Sequence, residues 1–89
     1  MIEKKITLIN KRGLHARAAT KVVQCCQPFA AKTEICLDNK IASTRNIMQL
    51  LMLAAPCGTE ISLRADGEDE QAAMHALEQL ILDRFDEED

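Results

Sequence analysis

Tryptophan and tyrosine are absent from this chain, and Phe29 and Phe85 are its only aromatic residues. Any core must therefore be assembled from Ile, Leu, Val, Met and Ala. No apolar run approaches the roughly 20 residues that span a bilayer. Met1 is followed by Glu3, Lys4 and Lys5 without a signal-like apolar segment, which predicts a cytosolic protein. A basic surplus is missing too: the formal net charge of -3 argues against a nucleic-acid binder, which carries a clustered basic surface. The cysteines Cys25, Cys26, Cys36 and Cys57 form no C-x-x-C pair, and a reducing cytosol disfavours disulfides, so neither a disulfide framework nor a structural metal is expected. No repeat or low-complexity segment interrupts the chain apart from the acidic stretch Asp86, Glu87, Glu88 and Asp89.

What is present suits one small soluble domain over residues 1–89, with 47 % hydrophobic residues and little room for an enclosed pocket. A functional site is expected on the surface. Charge is unevenly placed along the chain. Lys4, Lys5, Lys11, Arg12, Arg17 and Lys21 gather early, whereas Glu68, Asp69, Glu70 and the acidic end lie late. An anion is drawn to the N-terminal region.

Ile6 and Leu8 alternate with polar neighbours and predict a half-buried strand ending at Asn10. From Ala16 to Gln27, Ala19, Val22, Val23 and Cys26 fall at helical spacing, and Pro28 stops the helix. Cys26 reads as a small core residue and Cys25 as an outer one. Thr33, Ile35 and Leu37, the turn Asp38-Asn39-Lys40, and Ile41 to Ser43 predict a hairpin. Asn46 is placed to cap a short helix from Ile47, limited by Pro56, with Gly58 resetting the chain direction. Ile61, Leu63 and Ala65 predict a fourth strand. Asp69 is expected as the next N-cap, leading a stripe of Ala73, Leu77, Leu80 and Ile81 that Arg84 closes with its stem. The order βαββαβα predicts an α+β open-faced sandwich, a four-stranded antiparallel sheet covered on one face by three helices.

The chemically informative segment is Lys11-Arg12-Gly13-Leu14-His15-Ala16-Arg17, which sets a histidine between a glycine loop and a helix start. The first turn of a helix offers unpaired N–H groups and the positive end of the macrodipole, so a phosphoryl group on His15 meets donors at Ala16, Arg17 and Ala18. Arg17 adds its own charge, and these positive surroundings oppose a second cation, leaving His15 a neutral nucleophile. On spacing alone, a hydrogen-bonded or solvated loop histidine is the stronger reading.

Gly13-Leu14-His15-Ala16-Arg17-Ala18-Ala19 resembles the active-site signature of the histidine-containing phosphocarrier (HPr) family of the bacterial phosphotransferase system. Asn39-Lys40 with Ala42-Ser43, Gly58-Thr59, and Gly67-Glu68-Asp69-Glu70-Gln71-Ala72-Ala73 extend the likeness over nearly the whole chain. The resemblance implies a carrier rather than an enzyme, without cofactor or metal. It implies that His15 is phosphorylated on Nδ1 by Enzyme I, which draws on phosphoenolpyruvate, and dephosphorylated by an Enzyme IIA. Arg17 matches the family's phosphate-stabilising arginine. Two positions depart from the pattern. Ala18 stands where the common motif has proline, restoring a backbone N–H, and Asn46 stands where kinase-regulated carriers have serine.

Ile47, Met48, Leu50, Leu51, Met52 and Leu53 are more apolar surface than one core-facing stripe requires, so a docking surface built on Ile47, Met48, Leu51 and Met52 is expected on an otherwise soluble monomer. His75, remote from the glycine loop, reads as a surface residue. Ala18, Leu53-Ala54-Ala55 and the end Asp83-Arg84-Phe85-Asp86-Glu87-Glu88 resemble the nitrogen-related branch of the family more than its sugar-uptake branch. Two readings from other classes remain, a non-phosphorylated interaction module and a cysteine-based metal or redox protein. Neither accounts for Gly13 to Arg17.

Overall fold

The structure, a computed structural model, describes residues 1–86; the acidic residues 87–89 lie outside the described residues. The elements run β1 (Ile2–Thr7), α1 (Ala16–Cys26), β2 (Lys32–Leu37), β3 (Lys40–Ser43), α2 (Ile47–Met52), β4 (Glu60–Asp66) and α3 (Glu70–Leu82), followed by a short turn at Arg84–Asp86. The strands form one antiparallel sheet in the order β1-β4-β2-β3. This is the expected open-faced architecture.

Alternation decides which face is covered. On β4, Ile61, Leu63 and Ala65 are buried while Ser62 and Arg64 turn to the open face, where Arg64 Nε donates to Glu3 Oε2 at 2.8 Å. Over the covered face, α1 packs Ala18, Ala19, Val22 and Cys26 and α3 packs Ala73, Met74, Leu77 and Ile81. Small side chains on α1 let it sit low, and Met74 and Leu77 supply bulk that a core without Trp or Tyr needs.

Three local expectations are corrected. β1 stops at Thr7 rather than Asn10, because its partner β4 begins at Glu60, opposite Thr7. Leu8 stays buried and exchanges bonds with Thr59 O and Gly58 N, but the ladder has ended. Asp69 occupies the N-cap position of α3 in a non-extended conformation and makes no side-chain cap bond. Its carboxylate instead accepts the N–H groups of Ala30 at 2.9 Å and Ala31 at 2.8 Å, tying the α1–β2 connection to the start of α3. Arg84 does not close the α3 stripe. The helix ends at Leu82, Arg84 is exposed, and a left-handed turn at Arg84, Phe85 and Asp86 swings Phe85 into the core instead.

The other punctuation follows the expected chemistry. Asn46 Oδ1 accepts the Gln49 N–H at 3.1 Å, capping α2. Asp38 takes φ 55° in the two-residue hairpin connection, a conformation its short polar side chain tolerates. After α2, Ala54 adopts φ 51° where glycine is usual, so the chain turns sharply toward Ala55 and Pro56.

The two backbone donors hold the Asp69 carboxyl below its ordinary value of 3.8, the Ala30 N–H contributing most. A carboxyl with a lowered folded value adds stability above its unfolded value and loses it as pH falls through the folded one. Asp69→Ala is therefore expected to melt below the native chain at pH 7. The gap should narrow as thermal melts are carried into acid below 3.8.

Candidate functional site

His15 stands immediately before α1 as its N-cap residue, in extended conformation with φ −92° and ψ −176°. Its Nδ1 accepts the backbone N–H of Arg17 at 3.3 Å, and its carbonyl accepts the first helical bond, from Ala19 N, at 2.8 Å. A nitrogen that accepts an N–H presents a lone pair, so this geometry leaves Nδ1 as the acceptor atom of the ring. The ring is half-buried.

The loop that delivers His15 is held from several directions. Gly13 has φ +64°, and a Cβ there would lie 2.3 Å from Ala55 O and 2.8 Å from Pro56 Cα. Glycine is required at this position both for conformation and for space. The neighbouring Leu14 N–H donates to Ala55 O at 2.9 Å, and the Leu14 side chain is buried. Asn10 grips Gly13 twice: its carbonyl accepts the Gly13 N–H at 3.1 Å and its Nδ2 donates to Gly13 O at 2.8 Å. Asn10 is wholly buried, a role that a reading of it as the last strand residue misses. The available signal was an asparagine three residues ahead of a glycine, a common loop-closing arrangement.

Electrically the site is one-sided. α1 has no acidic residue in its first turn, and no Asp or Glu occurs from residue 4 to residue 33. Lys11, Arg12 and Arg17 are exposed around the loop, and the Arg17 guanidinium makes no ion pair among the described residues. The helix end and these side chains favour a multiply charged anion next to His15 Nδ1.

The three expected backbone donors are separated by the structure. Ala16 and Arg17 are exposed, whereas Ala18 is fully buried on the core side of α1. Of the expected docking residues, Ile47, Met48 and Met52 are exposed, Met48 and Met52 at 67 % and 69 %, while Leu51 is half-buried against the core. Leu50 and Leu53 belong to the core itself. A shallow cleft of about 330 Å³ runs beside Met52, between Lys40 and Ile41 on β3 and Gln49 and Leu53. α1 and α2 pack side by side, and the loop bearing His15 joins the end of α2 through Ala55.

The remaining candidates lie elsewhere. His75 is exposed on α3 beside a surface cleft with Lys4 and Glu78. Cys26 is a core residue, and Cys25 is half-buried with its thiol pushed up to about 11, chiefly by burial and then by Cys26. Such a thiol holds almost no thiolate at neutral pH. Cys36 is buried on β2 and Cys57 is exposed in the α2–β4 connection. Among the described residues no helix is long and apolar enough to cross a membrane.

The family model described as the PTS HPr component phosphorylation site matches residues 2–83. A "Phosphocarrier protein HPr" of Xylella fastidiosa is 43 % identical over 88 residues, covering 99 % of both chains. A "Phosphocarrier protein NPr" of Shewanella violacea is 41 % identical over 86 residues, covering 97 % of this chain and 94 % of its own. A crystal structure of HPr from Thermoanaerobacter tengcongensis superimposes with a TM-score of 0.93 at 39 % identity, covering 99 % of both chains. With a family model matched over residues 2–83 and relatives and a solved fold matched over nearly the whole chain, it belongs to the HPr family of phosphotransferase-system phosphocarriers.

Proposed function

We propose that His15 Nδ1 is the atom on which this carrier holds its phosphoryl group, that a phosphorylated Enzyme I supplies the group, and that an Enzyme IIA removes it, with the chain acting as a monomer in the cytosol. The observation that carries this reading is the Arg17 N–H aimed at His15 Nδ1 at the start of a helix free of acidic residues. In uptake, the Nδ1 lone pair attacks the phosphorus of the donor in line. The bond from phosphorus to the donor atom breaks, and that atom keeps the electron pair. The Arg17 N–H, released from Nδ1, then faces a phosphoryl oxygen, and the Arg17 guanidinium balances the added charge. Delivery runs the same step in reverse, with Nδ1 keeping the pair as the acceptor atom binds phosphorus.

Ala16 and Arg17 serve as the backbone donors. The buried Ala18 supports the fold of α1 more than the phosphate. Both partners dock on Ile47, Met48, Leu51 and Met52 beside the site, where flexible methionines fit more than one surface. Ala18, Leu53-Ala54-Ala55 and the acidic end favour the nitrogen-related branch, whose Enzyme IIA is regulatory, over sugar uptake.

The first test is phosphoenolpyruvate-dependent labelling through Enzyme I. The native chain is expected to take up label as an acid-labile, base-stable adduct, and His15→Ala none. Loss of the His15 cap costs about 1 kcal/mol, so chemical denaturation should show His15→Ala folded. Arg17→Ala should slow uptake about tenfold or more. Chasing the labelled carrier with a nitrogen-related or a sugar-specific Enzyme IIA separates the branches, faster discharge by the former supporting the assignment. A second prediction concerns docking. Met48→Glu and Met52→Glu should each raise the KM of Enzyme I for the carrier about tenfold with kcat near native, read from initial rates over a range of carrier concentrations.

A further inference from the structure

We propose that Asn10 is a positioning residue for phosphoryl transfer, acting through the Gly13 carbonyl to set where His15 presents Nδ1. Gly13 O receives two hydrogen bonds, from Asn10 Nδ2 at 2.8 Å and from the His15 backbone N–H at 3.1 Å. The peptide plane that precedes Leu14 is thereby oriented by Asn10 on one side and read by His15 on the other. The Asn10 carbonyl also accepts the Gly13 N–H at 3.1 Å, so the same residue closes the loop through both backbone and side chain.

Lys11 and Arg12 inside this closure are exposed, while Asn10, Gly13 and Leu14 are buried beneath them. With Leu14 N–H fixed on Ala55 O, His15 is constrained from both of its neighbours on the N-terminal side. Its extended backbone then places Nδ1 on the Arg17 N–H. Removing the Asn10 donor frees Gly13 O to rotate. The His15 amide follows it, and the ring leaves the line along which the phosphoryl group arrives. Geometry of this kind enters the rate of the chemical step and not the affinity for the partner, because the docking face on α2 does not include Asn10.

This inference rests on the carrier reading above, and its test separates the two. Asn10→Asp keeps size and acceptor oxygens but loses the donor; Asn10→Ser returns a hydroxyl donor on a shorter side chain. With Enzyme I as catalyst, Asn10→Asp should keep the native KM and lower kcat about tenfold or more, with Asn10→Ser intermediate. The NMR shifts of the His15 and Arg17 amides and of His15 Nδ1 should move in Asn10→Asp while the amides of α3 stay in place. Native kcat with native shifts overturns the proposal. So does an equal loss of kcat in Ile81→Val, a core variant remote from the loop, at matched loss of melting temperature. If Asn10→Asp fails to fold, Asn10→Ser decides, and native kcat and shifts in that variant overturn the proposal. If the native chain accepts no phosphoryl group, the carrier reading fails, and unmoved His15 and Arg17 shifts are then the result that overturns the role of Asn10.

Discussion

Gly13 lying against the Ala55 carbonyl is the contact on which the rest of the active region depends. No side chain fits between them, since a Cβ at Gly13 would meet that oxygen at 2.3 Å. Because the two backbones touch, the Leu14 N–H reaches Ala55 O and the Leu14 side chain drops into the core. His15 is then left at the rim with its backbone extended, the arrangement an N-cap needs. The same contact brings the end of α2 to the histidine, so the apolar face of Ile47, Met48 and Met52 lies on the helix whose following segment anchors the loop.

A chain with a net charge of -3 nevertheless presents a positive site. Segregation along the sequence accomplishes this, because the acid-free stretch from residue 4 to residue 33 folds into β1, the glycine loop, α1 and the approach to β2. Acidic residues are placed outside that stretch. Glu3 and Arg64 pair across the open face, Lys4 pairs with Glu78 of α3, and Asp69 receives backbone N–H groups. The field at α1 is left to its own dipole and to Lys11, Arg12 and Arg17.

Elements with one strong periodic signal were legible in the sequence. β4 alternates cleanly, α1 carries a narrow apolar stripe, and the Asn46 cap formed as its chemistry requires. His15 and Arg17 stood out because a helix start beside a glycine loop has a local electrostatic meaning. What escaped depends on partners distant in sequence. The end of β1 is set by where β4 begins, Asp69 is claimed by Ala30 and Ala31, and Asn10 acquires its role only when Gly13 is pressed against Ala55. The exchange of Arg84 for Phe85 has the same origin. Helical spacing continued through Arg84, but the backbone turned left-handed there, and a ring gained more from burial than a charged stem did.

Phe85 has a consequence for how the chain comes to be folded. It is a fully buried ring in a core with few alternatives of its size, its carbonyl accepts the Lys21 ammonium at 2.6 Å, and it sits beyond the last helix. β1, at the other extreme, pairs with β4 from Ile2 opposite Ala65 to Thr7 opposite Glu60. The Phe85 contact does not exist on a ribosome-bound fragment that stops short of residue 85, and the β1–β4 ladder needs the chain through Ala65. Chain closure of this range slows folding relative to local helix formation. A nascent carrier therefore displays the glycine loop and the apolar face of α2 before it has a complete core.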